Sequence, residues 1–262
     1  SYIVDVELHG DLDNTSMVFD FGNVKKVIKR AIDQLIDHKL AYASATAGLT
    51  VSQQADMQVL SLNSARGLIE VASPYVAVPG DAINFNTVSQ FLTAEIKPLL
   101  PANVEKVEFN LRTEKSNGFY YHYSHGLKKH DGNCQRIAHG HRSTIEIFQN
   151  GMLVPRLNKF WTERWEDIYL GTAEDLSTAT QCNYLSATPD AQSQYYFRYQ
   201  AAQGEFQISL PTSHCEIVPC DTTVECLAQY IADVLVTLEP AAYKVVAYEG
   251  VGKGAVAFQS VS

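Results

Sequence analysis

Hydrophobic and polar positions divide the chain into two passes of similar order. Residues 2–8 alternate, with Ile3, Asp5 and Glu7 on one face and Val4, Val6 and Leu8 on the other, which predicts a half-buried strand. A turn over 9–16 and the segment 17–21 lead into a helix. There Val24, Val27, Ile28, Ala31, Ile32, Leu35 and Ile36 recur at helical spacing, and Lys25, Lys26, Lys29 and Arg30 take the wet side. The pattern stops near Asp37-His38. Residues 41–80, rich in Ala, Ser and Pro, read as irregular or short-stranded. A helix over 87–100 ends at Pro101, and a strand over 104–113 and a turn over 115–118 close the pass.

The second pass opens with a strand over 119–124, a loop with Gly126, Lys128, Lys129 and Gly132, a strand over 142–148 and a turn at Asn150-Gly151. A helix over 157–168 carries Trp161 and Trp165. Residues 171–220 read as a polar insertion with strand character at 195–199 and 205–210. A helix over 223–238 sets Leu227, Ile231, Val234 and Leu235 on one face, and strands at 243–248 and 255–258 follow. The glycine-rich Gly250–Gly254 stretch precedes a strand rather than a helix, so it reads as a hairpin turn and not a phosphate loop. Leu99-Leu100-Pro101 and Leu238-Glu239-Pro240 stand at matching places. The expectation is a tandem duplication of an α+β module of roughly 130 residues, with halves 1–118 and 119–262. The first pass starts on what reads as the module's second strand, so a preceding segment is expected to supply the first.

Composition narrows the class. Of 262 residues, 46% are apolar and 19% charged, an ordinary globular balance. No apolar run approaches the roughly 18 residues of a membrane span, so no membrane is expected. Twenty-nine acids against 20 bases give a net charge of −9, which disfavours nucleic acid as a partner. Five cysteines (Cys134, Cys182, Cys215, Cys220 and Cys226) form no CxxC pair, and the chain shows no signal peptide pattern at its start. They read as reduced thiols of a cytoplasmic protein.

Five of the eight histidines fall between residues 122 and 141. His139 and His141, two apart at a strand start, share a face and can hold one metal ion. His125, ending the preceding strand, can reach the same point. Three imidazoles with an open fourth position describe a catalytic zinc better than a closed structural one. An isolated HxH is more often plain surface polarity; the third histidine and a cysteine in the same hairpin tip the balance towards metal. That cysteine, Cys134, sits among Lys128, Lys129 and Arg136, a setting that favours thiolate, and the other four read as small apolar fillers. Asp37-His38 at a helix C-terminus has the makeup of a proton-relaying pair, although a capping histidine is commoner. Glu225 at a helix start and Glu249 at a strand end are each more often structural than ligand-binding.

Together these residues resemble the 6-pyruvoyltetrahydropterin synthase and 6-carboxytetrahydropterin synthase family. The resemblance rests on Tyr123-Ser124-His125, Cys134 and His139-Gly140-His141; on Met17-Val18-Phe19-Asp20-Phe21 and Ile36-Asp37-His38-Lys39; and on Thr223-Val224-Glu225 and Tyr248-Glu249. It implies Zn2+ on His125, His139 and His141, with Cys134 as catalytic base. Asp37 and His38 would complete a triad within the chain or across subunits, and Thr223, Glu225 and Glu249 would anchor a pterin. The motifs are split: the first half has Asp37-His38 and no HGH, and the second reads Trp165-Glu166-Asp167-Ile168 where Asp-His would stand. The implied fold is two T-fold modules, each a four-stranded antiparallel sheet with two helices on one face, closing into a barrel as a homo-oligomer. The implied activity is a zinc lyase on 7,8-dihydroneopterin triphosphate giving a 6-carboxy- or 6-pyruvoyl-tetrahydropterin, with queuosine biosynthesis as one setting. Lys128, Lys129 and Arg136 would hold its phosphates. The alternatives are a non-catalytic pterin- or purine-binding protein with a structural zinc, and an unrelated zinc hydrolase.

Overall fold

The computed structural model describes residues 1–55, 57–116, 118–187 and 193–261. Asn117, in the turn expected over 115–118, and residues 188–192, in the expected insertion, lie outside the described residues. In the first half the elements run β1 (Ile3–Gly10), α1 (Phe21–Leu35), β2 (Leu40–Ala43), β3 (Leu49–Gln54), β4 (Met57–Ser64), β5 (Gly67–Ala72), β6 (Tyr75–Val78), α2 (Phe85–Ile96) and β7 (Val104–Arg112). The second half continues with β8 (Tyr120–His125), β9 (His139–Gln149), β10 (Met152–Leu153), α3 (Pro155–Arg164), β11 (Ile168–Thr172) and β12 (Leu176–Ser177). It ends with β13 (Gln194–Ala201), β14 (Gly204–Pro211), β15 (Cys215–Val218), α4 (Val224–Leu238), β16 (Tyr243–Tyr248) and β17 (Gly254–Gln259). The fold is mixed α+β. Among the described residues no helix is long and apolar enough to cross a membrane.

The chain divides into two compact units, and they do not coincide with the sequence halves. The smaller comprises Tyr2–Ala47 and Pro74–Glu114; the larger comprises Ser1, Gly48–Ser73 and Lys115–Ser262. In the smaller unit the Asp20 side chain caps α1 by accepting the Asn23 N–H at 2.9 Å, and α1 buries Val24, Ile28 and Ala31. Asn84 and Thr87 form a capping box for α2, which buries Val88, Leu92 and Ile96 before Pro98 tightens its end into a 3-10 turn. These faces meet Val104, Val107 and Phe109 of β7 and the Val4 and Leu8 side chains of β1. β1 pairs antiparallel with β7, and the outward Asp5 meets Arg112 at 2.7 Å. This antiparallel sheet has two strands rather than the expected four. Beside it, β2 pairs parallel with β6.

In the larger unit one sheet runs β15-β11-β8-β9-β16-β17, with β10 on β9. Its β8-β9-β16-β17 run is the antiparallel four-stranded arrangement that the sequence implied. α3, the Trp165 that caps its C-terminus, and α4 bury Trp161, Trp165, Leu227, Ile231 and Leu235 against Ile145, Ile147 and Val245 of that run. Each such side chain contributes about 1.5–3 kcal/mol on burial. β11 and β15 add parallel strands next to β8, so the sheet is mixed. α3 ends at Arg164, four residues before the helical period suggested. Asp167 turns into the left-handed region at φ 52°, and the apolar Ile168-Tyr169-Leu170 run joins the sheet as a strand.

The second sheet of the larger unit runs β12-β13-β14-β5-β4-β3, joining strands from both sequence halves. The described residues of 41–80 and 171–220 are therefore more ordered than their composition suggested. The joint is antiparallel, with Ala72 opposite Gln207, Val71 opposite Ile208 and Glu70 opposite Ser209. Glu70 is buried, and its carboxylate accepts from the Ser61 hydroxyl and from both the N–H and hydroxyl of Ser186.

Candidate functional site

The β8–β9 ladder brings the three histidines together. His125 stands directly opposite His139, and Tyr123 opposite His141. Gly140 between the two histidines lies so close to β8 that a Cβ would meet the Tyr123 carbonyl oxygen at 2.9 Å and Ser124 Oγ at 3.0 Å. His125, His139 and His141 each offer a ring nitrogen within 4.8 Å of the others. His125 Nε2 and His141 Nε2 are 3.1 Å apart. The Tyr123 ring packs edge-on against His125 at 5.0 Å, and burial, aided by the charges of Tyr121 and Glu249, pushes its phenol pKa well up.

Hydrogen bonds at the far side of the His139 and His125 rings set their tautomers. A carbonyl only accepts, so the 2.9 Å contact of His139 Nδ1 with the Arg136 carbonyl makes Nδ1 the protonated nitrogen. His125 Nδ1 meets the Thr222 hydroxyl at 3.0 Å, and that hydroxyl donates to the Gly126 carbonyl at 3.4 Å. With Nδ1 protonated, Nε2 is the nitrogen that carries the lone pair in His125 and His139, and His125 Nε2 is the atom that faces His141 Nε2. This is the donor set of a divalent metal site, oriented by outer hydrogen bonds, and Zn2+ fits it. Thr222, fully buried, is a member of the site that sequence reasoning missed. Its only signal was its place beside Thr223-Val224-Glu225.

Glu249 directly follows β16, with one carboxylate oxygen 3.3 Å from His141 Nε2, at the rim of the triad. Thr223 spends its hydroxyl capping α4, accepting the Cys226 N–H at 3.4 Å, and Glu225 is exposed in the first turn of that helix. Cys134 is half-buried in the short 3-10 turn Gly132–Gln135 between β8 and β9. Its carbonyl accepts the Leu127 N–H at 2.9 Å.

The lysines of that loop are committed to acids of this chain. Lys128 Nζ lies 2.5 Å from Asp175 and 3.2 Å from Glu174, and Lys129 Nζ 3.0 Å from Asp221. Burial lowers the Lys128 pKa, and its bonds to Asp175 and Glu174 outweigh that and raise it. The phosphate-holding role expected of these two lysines loses its basis, because their charge is already neutralised.

In the smaller unit His38 follows α1 in the left-handed region at φ 53°, a costly conformation for a residue with a side chain. Its Nδ1 meets Asp37 Oδ2 at 2.7 Å, and the His38 side chain is half-buried. An acid–imidazole pair held in a strained turn suits proton transfer at the other ring nitrogen.

An α+β scaffold with three convergent imidazoles defines a candidate metal centre. Residues 1–117 match the family model described as 6-pyruvoyl tetrahydropterin synthase. That match covers Asp37 and His38, and the histidine triad lies beyond it. Among solved structures, the chain is similar to 6-pyruvoyl tetrahydropterin synthase from Plasmodium vivax, at 13% identity and a TM-score of 0.39, over 56% of this chain and 96% of that one. It is also similar to the Plasmodium falciparum enzyme, at 12% identity and a TM-score of 0.38, over 56% and 96%. No curated protein matches the chain.

Proposed function

We propose that the chain is a zinc-dependent pterin synthase that acts as a lyase on 7,8-dihydroneopterin triphosphate, giving a 6-carboxy- or 6-pyruvoyl-tetrahydropterin. The observation that carries the reading is the convergence of His125, His139 and His141, with Nδ1 of His125 tied back to Thr222 and Nδ1 of His139 to Arg136. Zinc, when bound, would lower the pKa of the substrate's side-chain hydroxyls as a Lewis acid. Cys134 is the proposed base. Asp37 orients His38 and stabilises its protonated ring, so that His38 returns a proton at Nε2. Glu249 and Glu225 accept hydrogen bonds from the donor-rich edge of the pterin, with Thr223 alongside.

The reading includes a tandem origin, with halves 1–118 and 119–262. Its support is topological. Each half places two helices between the strands of an antiparallel pair, β1 with β7 and β9 with β16. Each also carries a parallel pair, β2 with β6 and β11 with β15, around a meander. A homo-oligomer is part of the proposal, because β17 is a sheet edge that exposes Val256 and Phe258. A reducing, cytoplasmic setting agrees with five unpaired cysteines.

The test is product analysis of the zinc-loaded protein with 7,8-dihydroneopterin triphosphate, alongside Cys134→Ala and His38→Ala. Turnover lost in both variants with zinc retained supports the divided triad, and the product mass chooses the reaction. Pterin binding without turnover in the wild type would instead favour a binding protein with a structural zinc.

A further inference from the structure

The loop that carries Cys134 has few bonds of its own, and the inserted sheet supplies the rest. Within residues 127–136 the backbone bonds are few, including Leu127 N–H to the Cys134 carbonyl and Arg136 N–H to the Asn133 carbonyl. The turn of the β13–β14 hairpin grips the residues on both sides of the thiol. Tyr199 donates its hydroxyl to the Gln135 carbonyl at 2.6 Å. The Gln203 N–H donates to Gln135 Oε1 at 3.0 Å, and Gln203 Nε2 to Asn133 Oδ1 at 3.0 Å. Tyr169 of β11 adds a bond to the Ile137 carbonyl at 3.1 Å.

None of these bonds is needed by the hairpin. Its ladder is complete from Gln194 opposite Pro211 to Ala201 opposite Gly204. Gln135 is buried, so the bond to its side-chain oxygen holds the loop in a desolvated place where an open state forfeits a partner. Tyr199 is buried as well, and its ring packs on Phe206 within the hairpin, giving the hydroxyl a rigid mount.

We propose that the β13–β14 hairpin is a positioning clamp for the Cys134 loop, with Tyr199 and Gln203 as its positioning residues. The catalytic consequence rests on the proposed role of Cys134; the clamp itself does not. The stretch that reads in sequence as an insertion into a pterin synthase module thereby takes part in the site, fixing where the thiol stands relative to the histidines.

The test uses the full-length zinc-loaded protein carrying Tyr199→Phe with Gln203→Ala, and Arg66→Ala in the turn of the β4–β5 hairpin as control. The first readout is iodoacetamide labelling of Cys134 at one fixed pH, resolved by peptide mass, with amide exchange over residues 132–137. The double variant is expected to label at least about threefold faster and to exchange faster in the loop, with zinc content and β13–β14 exchange unchanged. The control is expected to match the wild type. Unchanged or slower labelling with unchanged loop exchange overturns the clamp. This holds whether or not the protein turns over dihydroneopterin triphosphate. Where it does, kcat is expected to fall about tenfold with KM within about twofold. A kcat equal to that of the wild type beside an inactive Cys134→Ala also overturns the clamp, and activity in Cys134→Ala counts against the synthase reading alone.

Discussion

Val71 of β5 lies directly opposite Ile208 of β14, and the pairing around them reads the same from either strand. Ala72 faces Gln207 on one side, and Glu70 faces Ser209 on the other. Exchanging each residue for the one 137 positions away maps these pairs onto each other. The same step takes Gly67 to Gly204, the positive-φ glycines that open the two strands, at 112° and 130°. The sheet thus has a local two-fold axis through one apolar pair, the arrangement an isologous dimer adopts when its two copies join edge to edge.

Cutting the chain at the sequence boundary therefore severs a sheet. Fragment 119–262 expressed alone would present the β14 edge without β5, and it is expected to self-associate. Addition of fragment 1–118 is expected to restore a one-to-one complex. Sedimentation of the separate and mixed fragments checks this, and a monomeric, well-folded 119–262 would contradict it.

Thr222 should govern metal retention without touching the metal. Thr222→Val removes the acceptor that holds His125 Nδ1–H, and zinc affinity is expected to fall about 10- to 100-fold. Thr222→Ser keeps the hydroxyl and is expected to stay within a few-fold of wild type. Competition with a chromogenic chelator measures both. Equal affinities for the valine and serine variants would remove Thr222 from the site.

Cysteine labelling should be selective. Burial pushes the Cys215 thiol up to about 12 and the Cys220 thiol up to about 11. A raised thiol pKa means a smaller thiolate fraction at any lower pH, so at pH 8 Cys220 is about one part in a thousand thiolate. Both are expected to resist iodoacetamide at pH 8 and to begin reacting only as the pH climbs towards those values. Peptide mass mapping between pH 7 and 10 follows each site, and rapid labelling of Cys215 at pH 8 would contradict the assignment.

Gly126→Ala tests how closely the inserted sheet approaches the end of β8. The new Cβ would stand 2.0 Å from the Tyr199 hydroxyl oxygen and 2.7 Å from Ile137 Cα. Such overpacking typically costs about 1–3 kcal/mol. Adding Tyr199→Phe removes the nearer clash and leaves the backbone one, so partial recovery is expected. Urea midpoints of the single and double variants measure it; additive losses would mean that the two groups do not meet.

Much of this was legible along the chain. The helical stripe from Val24 to Leu35, the alternation of β1 and the helix from Val224 to Leu238 follow from residue spacing, because each buries one face of a regular element. The convergence of His125, His139 and His141 was legible because strand geometry fixes it. Pairing between distant segments was not. Nothing in Leu68-Ile69-Glu70-Val71 names β14 as a partner, since ladder bonds are made by backbone groups common to all residues. The buried Glu70 reads as a surface charge until its partners Ser61 and Ser186 are known. The acids facing Lys128 and Lys129 lie more than 40 residues downstream, which is why those lysines read as free cations.

The β5–β14 joint also sets a schedule for synthesis. A ribosome adds about 5–20 residues per second, so about 7–30 seconds pass between the emergence of Val71 and that of Ile208. Throughout that interval β3, β4 and β5 can form a meander, but the outer edge of β5 has no strand to meet. A chaperone, or the matching edge of another nascent copy, has that long to reach it first. Slower elongation across residues 74–203 lengthens the time for which that edge stands open.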